Sequence, residues 1–190
     1  MMTMQNNYWF WDKVFSPAEI KSLVKTINFK YDHVEPKNLE ATDVMGKSKK
    51  NLNCKQILYS KVAGKLDHAV DRAYSINSYN FGYNLFPKNP YDFLNFNIYN
   101  SSKKASYNWH CDRVANSSYD IKLTVLINLS TEPYKGGDFS MFMDDEFIIP
   151  EFNKPGSMIM FKSFIHHKVS PVIKGERNSL TLFLKGPKFT

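Results

Sequence analysis

Cysteine is nearly absent from this chain: Cys54 and Cys111 are the only two in 190 residues, and no C-x-x-C pair occurs. That argues against a disulfide framework and a cysteine-built zinc cluster. No apolar run approaches the ~20 residues that a membrane-spanning helix needs. The first residues, MMTMQNNYWFW, lack the basic start and long apolar stretch of a secretory signal. The expectation is a soluble protein of a reducing compartment, the cytoplasm, with no membrane partner. Acidic residues are also few, 18 Asp and Glu against 25 Lys and Arg, for a net charge of +7. Such a balance suits an anionic cosubstrate, an acidic protein or nucleic acid, and it equally describes solvated surface lysines. The runs Lys47–Lys50 and Lys103–Lys104 are too short to indicate nucleic acid by themselves. Internal repeats and low-complexity segments are lacking, and nothing in the sequence reports an oligomeric state.

What is present is a globular composition, 43% hydrophobic and 15% aromatic, enough for one buried core in a single domain over 1–190. Ser16-Pro17-Ala18-Glu19 has the form of a capping box with proline at the first helical position. Ile20, Leu23, Val24 and Ile27 follow at helical spacing. A polar, irregular stretch over 30–55 reads as a loop or lid. A second helix is predicted over about 61–76, with Val62, Leu66, Ala69, Val70 and Ala73 on one face and Gly64 as its weak point. After Asn77 the apolar runs become short: YNFGYNLF, DFLNFNIY, SYNWHCD, IKLTVLINL, GGDFSMF, EFIIP, SMIMFK, HKVSPVI and NSLTLFLK. Short strands with frequent turn residues predict an antiparallel sandwich or barrel. The expected layout is helical support and loop over 1–76, then seven to nine strands over 77–190.

Within those strands, His110-Cys111-Asp112 carries the chemistry. If the segment is extended, His110 and Asp112 point to one face and Cys111 to the other. A third ligand has to come from another strand, and His166-His167 offers two candidates. Two histidines and a carboxylate form a facial set that leaves three positions of an iron ion open. An H-x-D alone is a weak signal in a chain with five histidines. The stretch beyond the distal pair is more specific: Arg177 comes ten residues after His167, past a Pro-containing strand and a Gly turn. A returning strand can bring that guanidinium back towards the metal, where its fork suits a carboxylate. Ser179 shares its face.

Four motifs stand in order: Tyr107-x-x-His110-x-Asp112, Tyr134-Lys135-Gly136-Gly137-Asp138-Phe139, Pro155-Gly156-Ser157, and His167-x-Val169-x-Pro171-Val172-x-x-Gly175-x-Arg177. Together, over roughly 95–185, they resemble the prolyl-4-hydroxylase-like branch of the Fe(II)/2-oxoglutarate-dependent oxygenases. The resemblance implies a mainly β, double-stranded β-helix (jelly-roll) fold braced by N-terminal helices. It implies catalytic metal ligands His110, Asp112 and His167, with His166 outside the set, and Arg177 on the distal carboxylate of 2-oxoglutarate. Fe(II), 2-oxoglutarate and O2, with ascorbate as an accessory reductant, are the implied cofactors and cosubstrates. One departure stands out. Tyr99 matches the family's cosubstrate-contacting tyrosine by type but not by spacing, because 99–107 has no glycine and a longer loop. Tyr107 either lines the site or packs beside it, and Ser179 matches the Arg-x-Ser pattern of a related branch.

The implied activity is hydroxylation of a substrate C–H bond, with a peptidyl or protein residue as the favoured target and the 30–55 and 100–106 segments as covers. A nucleobase, nucleotide or small molecule is the alternative substrate, and a catalytically silent jelly-roll binding module is the alternative of another class. Ala41–Ser48 satisfies a permissive phosphate-loop pattern but lacks the flanking strand and helix. Gly136-Gly137 reads as a tight turn, and Cys111 as a packed or outward strand cysteine rather than a nucleophile.

Overall fold

A computed structural model describes residues 7–34, 50–114 and 117–188. The phosphate-loop pattern at 41–48, and most of the segment read as a lid, lie outside the described residues. In chain order the strands and α-helices are β1 (Tyr8–Trp11), α1 (Pro17–Lys30), β2 (His33–Val34), β3 (Lys50–Asn51), β4 (Asn53–Leu58), α2 (Ala63–Ile76) and β5 (Phe93–Asn100). They continue as β6 (Ser106–His110), β7 (Tyr119–Asn128), β8 (Lys135–Gly136), β9 (Phe139–Met143) and β10 (Asp145–Ile148). The last four are β11 (Met158–Lys162), β12 (His166–Val169), β13 (Val172–Lys174) and β14 (Glu176–Pro187).

Helix α1 starts as its sequence dictates. Ser16 Oγ accepts from the Glu19 N–H, and the Glu19 carboxylate accepts from the Ser16 N–H at 2.7 Å. Ile20, Leu23 and Ile27 are its buried stripe. Helix α2 begins two residues later than predicted, after a 3₁₀ turn at Tyr59–Lys61, and buries Leu66, Ala69, Val70 and Ala73.

The strands form a seven-stranded sheet ordered β1-β11-β7-β14-β5-β4-β2 and a five-stranded sheet ordered β10-β9-β12-β6-β3, with β13 paired to β8. All pairings are antiparallel, giving the jelly roll expected from the sequence. Alternation along each strand divides the large sheet into two faces. Leu123, Val125 and Ile127 of β7, with Leu180, Leu182 and Leu184 of β14, join the helices in one core cluster. Leu126, Ile159, Phe161 and Tyr99 face the small sheet and pack with Phe139, Met141 and Val169 in the other.

Three parts of the expected layout differ. The stretch Tyr79–Phe86 is not a strand: a π-turn over Asn77–Phe81 ends at Gly82, φ 69°, and the Asn77 side chain bonds both the N–H and the carbonyl of Tyr83. Phe81 is there as a core plug, buried among the α2 residues. Among the described residues, the N-terminal part supplies four strands rather than mostly helices and loop, and ten rather than seven to nine follow residue 77. Finally, the 100–106 segment, read as a loop, contains a short 3₁₀ turn and is pinned at both ends. Asn100 caps its 3₁₀ turn, the Ser101 N–H donates to the Gly175 carbonyl at 3.1 Å, and the Val172 N–H donates to the Ala105 carbonyl at 3.0 Å.

Candidate active site

His110 is the last residue of β6, and His167 lies opposite it on β12 as its register partner. Between that pair and the next, Val169 with Tyr107, three steps of β6 match two of β12, a bulge in the ladder. The extra residue turns Tyr107 onto the same side as His110, where the two rings stack at 3.5 Å and 10°. Tyr107 therefore lines the site, the question its sequence left open. His167 is buried against Phe161 and Phe139, with ring centroids at 4.7 and 5.8 Å. His166, exposed and opposite Phe142 in register, lies along the cleft but is not one of the converging ligands.

Asp112 reaches the same point by a different route from the one its spacing suggested. Strand β6 stops at His110, so residues 111 and 112 are not extended strand and alternation does not place them. Cys111 accordingly does not turn its back on the site but lies half-buried along the cleft. Asp112 is held instead by its own hydrogen bonds: its N–H donates to the Ser163 carbonyl at 2.9 Å, and Thr124 Oγ1 donates to its Oδ2 at 2.6 Å. Ser163 is fastened in turn to β7, through its N–H on the Lys122 carbonyl and its hydroxyl on the Ile121 carbonyl.

The protonation pattern of this cluster comes from elementary donor and acceptor rules. His110 Nδ1 lies 2.7 Å from the Asn108 carbonyl, and His167 Nδ1 lies 2.9 Å from the Ile165 carbonyl. A carbonyl can only accept, so both Nδ1 atoms carry hydrogen, which leaves both Nε2 lone pairs bare. Those two lone pairs face one carboxylate, at 3.8 Å (His110 Nε2 to Asp112 Oδ1) and 3.5 Å (His167 Nε2 to Asp112 Oδ2). Burial pushes the imidazoles down, His110 to about 3 with His167 adding to the effect, and His167 to about 4. Burial also raises the Asp112 carboxyl, against the pull of His110 and Thr124. One ligand atom from each of the three residues lies within 4.8 Å of the others. Three acceptors converging without a proton between them fit a divalent cation.

The same cleft, about 740 Å³, reaches Arg177. Strand alternation along β14 sets Arg177, Ser179, Thr181, Phe183 and Lys185 on the cleft side, with Tyr99 beside Arg177 in register on β5. Arg177 is fully buried, yet Nε and Nη2 have no hydrogen-bond partner among the described residues, and Nη1 makes one bond to Ser179 Oγ at 3.3 Å. Rings of Tyr99 and Phe152 flank the guanidinium at 5.2 and 5.4 Å. Desolvation pushes the Tyr99 hydroxyl up to about 12, although Arg177 acts the other way. Burying a fork of donors without acceptors is costly, so the geometry suits a carboxylate ligand. Gly137 makes this possible: at φ 69°, a Cβ there would stand 2.9 Å from Arg177 Cδ. Sequence reading missed Phe152, Thr124 and the role of Gly137. The paired glycines were the available signal for the last, whereas Thr124 and Phe152 carry none.

Residues 94–185 match the family model described as the 2OG-Fe(II) oxygenase superfamily, the region that supplies the triad and the arginine. No curated protein matches the chain. Among solved structures, a Pseudomonas putida prolyl-4-hydroxylase is similar at TM-score 0.68 and 17% identity, covering 96% of this chain and 94% of that one. A viral collagen prolyl hydroxylase from Paramecium Bursaria Chlorella virus-1, solved with 2OG, gives TM-score 0.65 and 14% identity over 95% and 97% of the chains. A Trichoplax adhaerens prolyl hydroxylase, in complex with a hypoxia inducible factor peptide fragment, gives TM-score 0.64 and 14% identity over 94% and 83%. At such identities the likeness is one of fold. The segment that builds the cleft, residues 94–185, thus matches the 2OG-Fe(II) oxygenase superfamily, a family of oxidoreductases using Fe(II), 2-oxoglutarate and O2, and the fold around it is that of the prolyl-4-hydroxylase structures.

Proposed function

We propose that His110, Asp112 and His167 hold one Fe(II), that Arg177 with Ser179 and Tyr99 holds the distal carboxylate of 2-oxoglutarate, and that the enzyme hydroxylates a residue of a protein or peptide. The observation that carries this reading is the buried, partnerless guanidinium in the same cleft as three converging metal-type ligands. When bound, Fe(II) and 2-oxoglutarate supply the oxidation: O2 is consumed, 2-oxoglutarate leaves as succinate and CO2, and one substrate C–H becomes C–OH.

The protein's part is binding and orientation. Asn108 and Ile165 hold the two imidazoles in the tautomer that leaves Nε2 free. Tyr107 stacks on His110 and fixes its ring plane. Leu126, Phe139 and Val169 exclude water from the inner end of the cleft, which strengthens the Arg177–carboxylate contact. A protein or peptide target is supported by the open outer cleft, where Tyr91 and Phe93 are exposed, and by the peptide complex of the Trichoplax relative. Oxidation of a nucleobase is a second reading, favoured by the basic Lys50 and Arg113 and the aromatic Tyr119 and Phe183 that line the same cleft. The two free cysteines accord with a reducing compartment, and we place the protein in the cytoplasm. The intact ligand set argues against a silent binding module.

Anaerobic addition of Fe(II) and 2-oxoglutarate tests the site directly. A weak visible charge-transfer band is expected, lost in His167→Ala and kept in His166→Ala. Its absence from the unsubstituted protein sinks the reading. Mass spectrometry of host-cell extract incubated with the loaded enzyme then identifies the product gaining one oxygen atom. Binding of nucleic acid that collapses steeply with salt favours the nucleobase branch.

A further inference from the structure

Asp112 is the ligand that no strand holds, and its carboxylate depends on a side chain outside the triad. Thr124 sits in the middle of β7, between Phe161 of β11 and Phe183 of β14 in register, and is completely buried. Its hydroxyl is 2.6 Å from Asp112 Oδ2, a short contact of the kind formed with an ionised oxygen. A carboxylate accepts, so Thr124 donates, and the bond engages one oxygen of the pair while Oδ1 keeps its lone pairs. Resting on the proposed metal site, we propose that Thr124 is a positioning residue: it engages Asp112 Oδ2 so that the carboxylate meets the ion through Oδ1 alone. A carboxylate gripping through both oxygens fills an additional coordination position, and the cosubstrate and O2 need all three that the protein leaves open. The rigid centre of β7 makes the restraint stiff, whereas the backbone bond from Asp112 to Ser163 fixes only the chain.

Co(II) is the probe, because its visible spectrum reports coordination number and its binding needs neither O2 nor turnover. Chelator-treated protein is titrated with Co(II) by calorimetry and absorbance. Thr124→Val, which keeps the branched shape without the hydroxyl, is expected to weaken Co(II) binding roughly 10- to 100-fold and to alter the spectrum. Thr124→Ser is expected to restore both. A folded Thr124→Val protein with unchanged affinity and spectrum overturns the proposal, even if its melting temperature falls, because that is a structural role only. Should the valine variant fail to fold, Thr124→Ala carries the same expectations. A separate outcome strikes the parent reading: if the unsubstituted protein binds Co(II) no better than His110→Ala, the metal site itself is overturned and Thr124's role with it.

Discussion

Arg177 is a charge placed where a charge alone is unfavourable. It is wholly buried, with two of its nitrogens unpartnered, and only the flanking rings of Tyr99 and Phe152 and one hydroxyl offset the lost water. The cost makes sense if the site is built around a ligand anion, and it predicts an unusual sign for a core mutation. Arg177→Met, similar in length and apolar, is expected to leave the cosubstrate-free protein as stable as before or more so, by chemical denaturation. The same variant should lose the stabilisation that 2-oxoglutarate gives the original protein, about 3 kcal/mol at a hundredfold excess over its dissociation constant. A large loss of stability without ligand would mean that the guanidinium already has its partner. Tyr99 gives a second prediction at this scale. Its hydroxyl is pushed up to about 12 by burial, while in the unfolded chain it ionises near 10. The folded state therefore holds a proton that the unfolded state gives up, so this contribution is complete below pH ~10 and is lost as pH rises towards ~12. At about pH 11 it amounts to roughly 1 kcal/mol. Tyr99→Phe should flatten the fall in stability between about pH 10 and 12, and burial shifts Tyr59, Tyr74 and Tyr83 in the same direction.

At the scale of elements, the glycine pair before β9 links loop geometry to ligand binding. Gly136 has its missing Cβ only 2.4 Å from the Pro171 carbonyl, and Gly137 stands against Arg177 and Val172. Both take positive φ. Gly137→Ala should therefore destabilise the fold by about 1–2 kcal/mol through strain, and should weaken 2-oxoglutarate binding by displacing the Arg177 stem; the two effects are separated by calorimetry on the folded variant. The elements also show what the sequence could and could not convey. The capping box at Ser16 and the alternation in NSLTLFLK are local signals, and both elements form as read. Strand β4, NCKQIL, carries no clean alternation because Gln56 faces a polar cleft floor, hydrogen-bonded to Asn95, rather than a hydrophobic core. Its first half, 53–55, therefore fell within the stretch read as loop or lid. Tyr79–Phe86 gave the opposite error, since aromatic residues that plug a core under a turn look like strand residues. Of the site, the triad and Arg177 were legible as a spacing pattern. Asp112's neighbour Thr124 was not, because only pairing of β7 in the sheet brings position 124 beside position 112.

Across the whole molecule, the large sheet separates two jobs. Its helix-side face is sealed by α1 and α2 through Leu23, Ile27, Leu66 and Ala69, none of which is exposed, while its other face carries the cleft. The strands between are common to both layers, yet alternate side chains of one strand serve different layers: Leu180 and Leu182 pack on helices, and Ser179 and Thr181 line the cleft. A defect on the helix side should then lower the stability of the domain without deforming the metal ligands, which are tied to one another through the small sheet, the Ser163 backbone and β7. Leu66→Ala tests this. Removing a fully buried leucine side chain costs about 2–5 kcal/mol, depending on how far α2 settles into the void. The expected outcome is a denaturation midpoint shifted by that amount, with Co(II) affinity and spectrum unchanged under conditions where the variant stays folded. A parallel loss of affinity would show instead that the helices set the ligand geometry through the sheet, and that the two layers act as one mechanical unit.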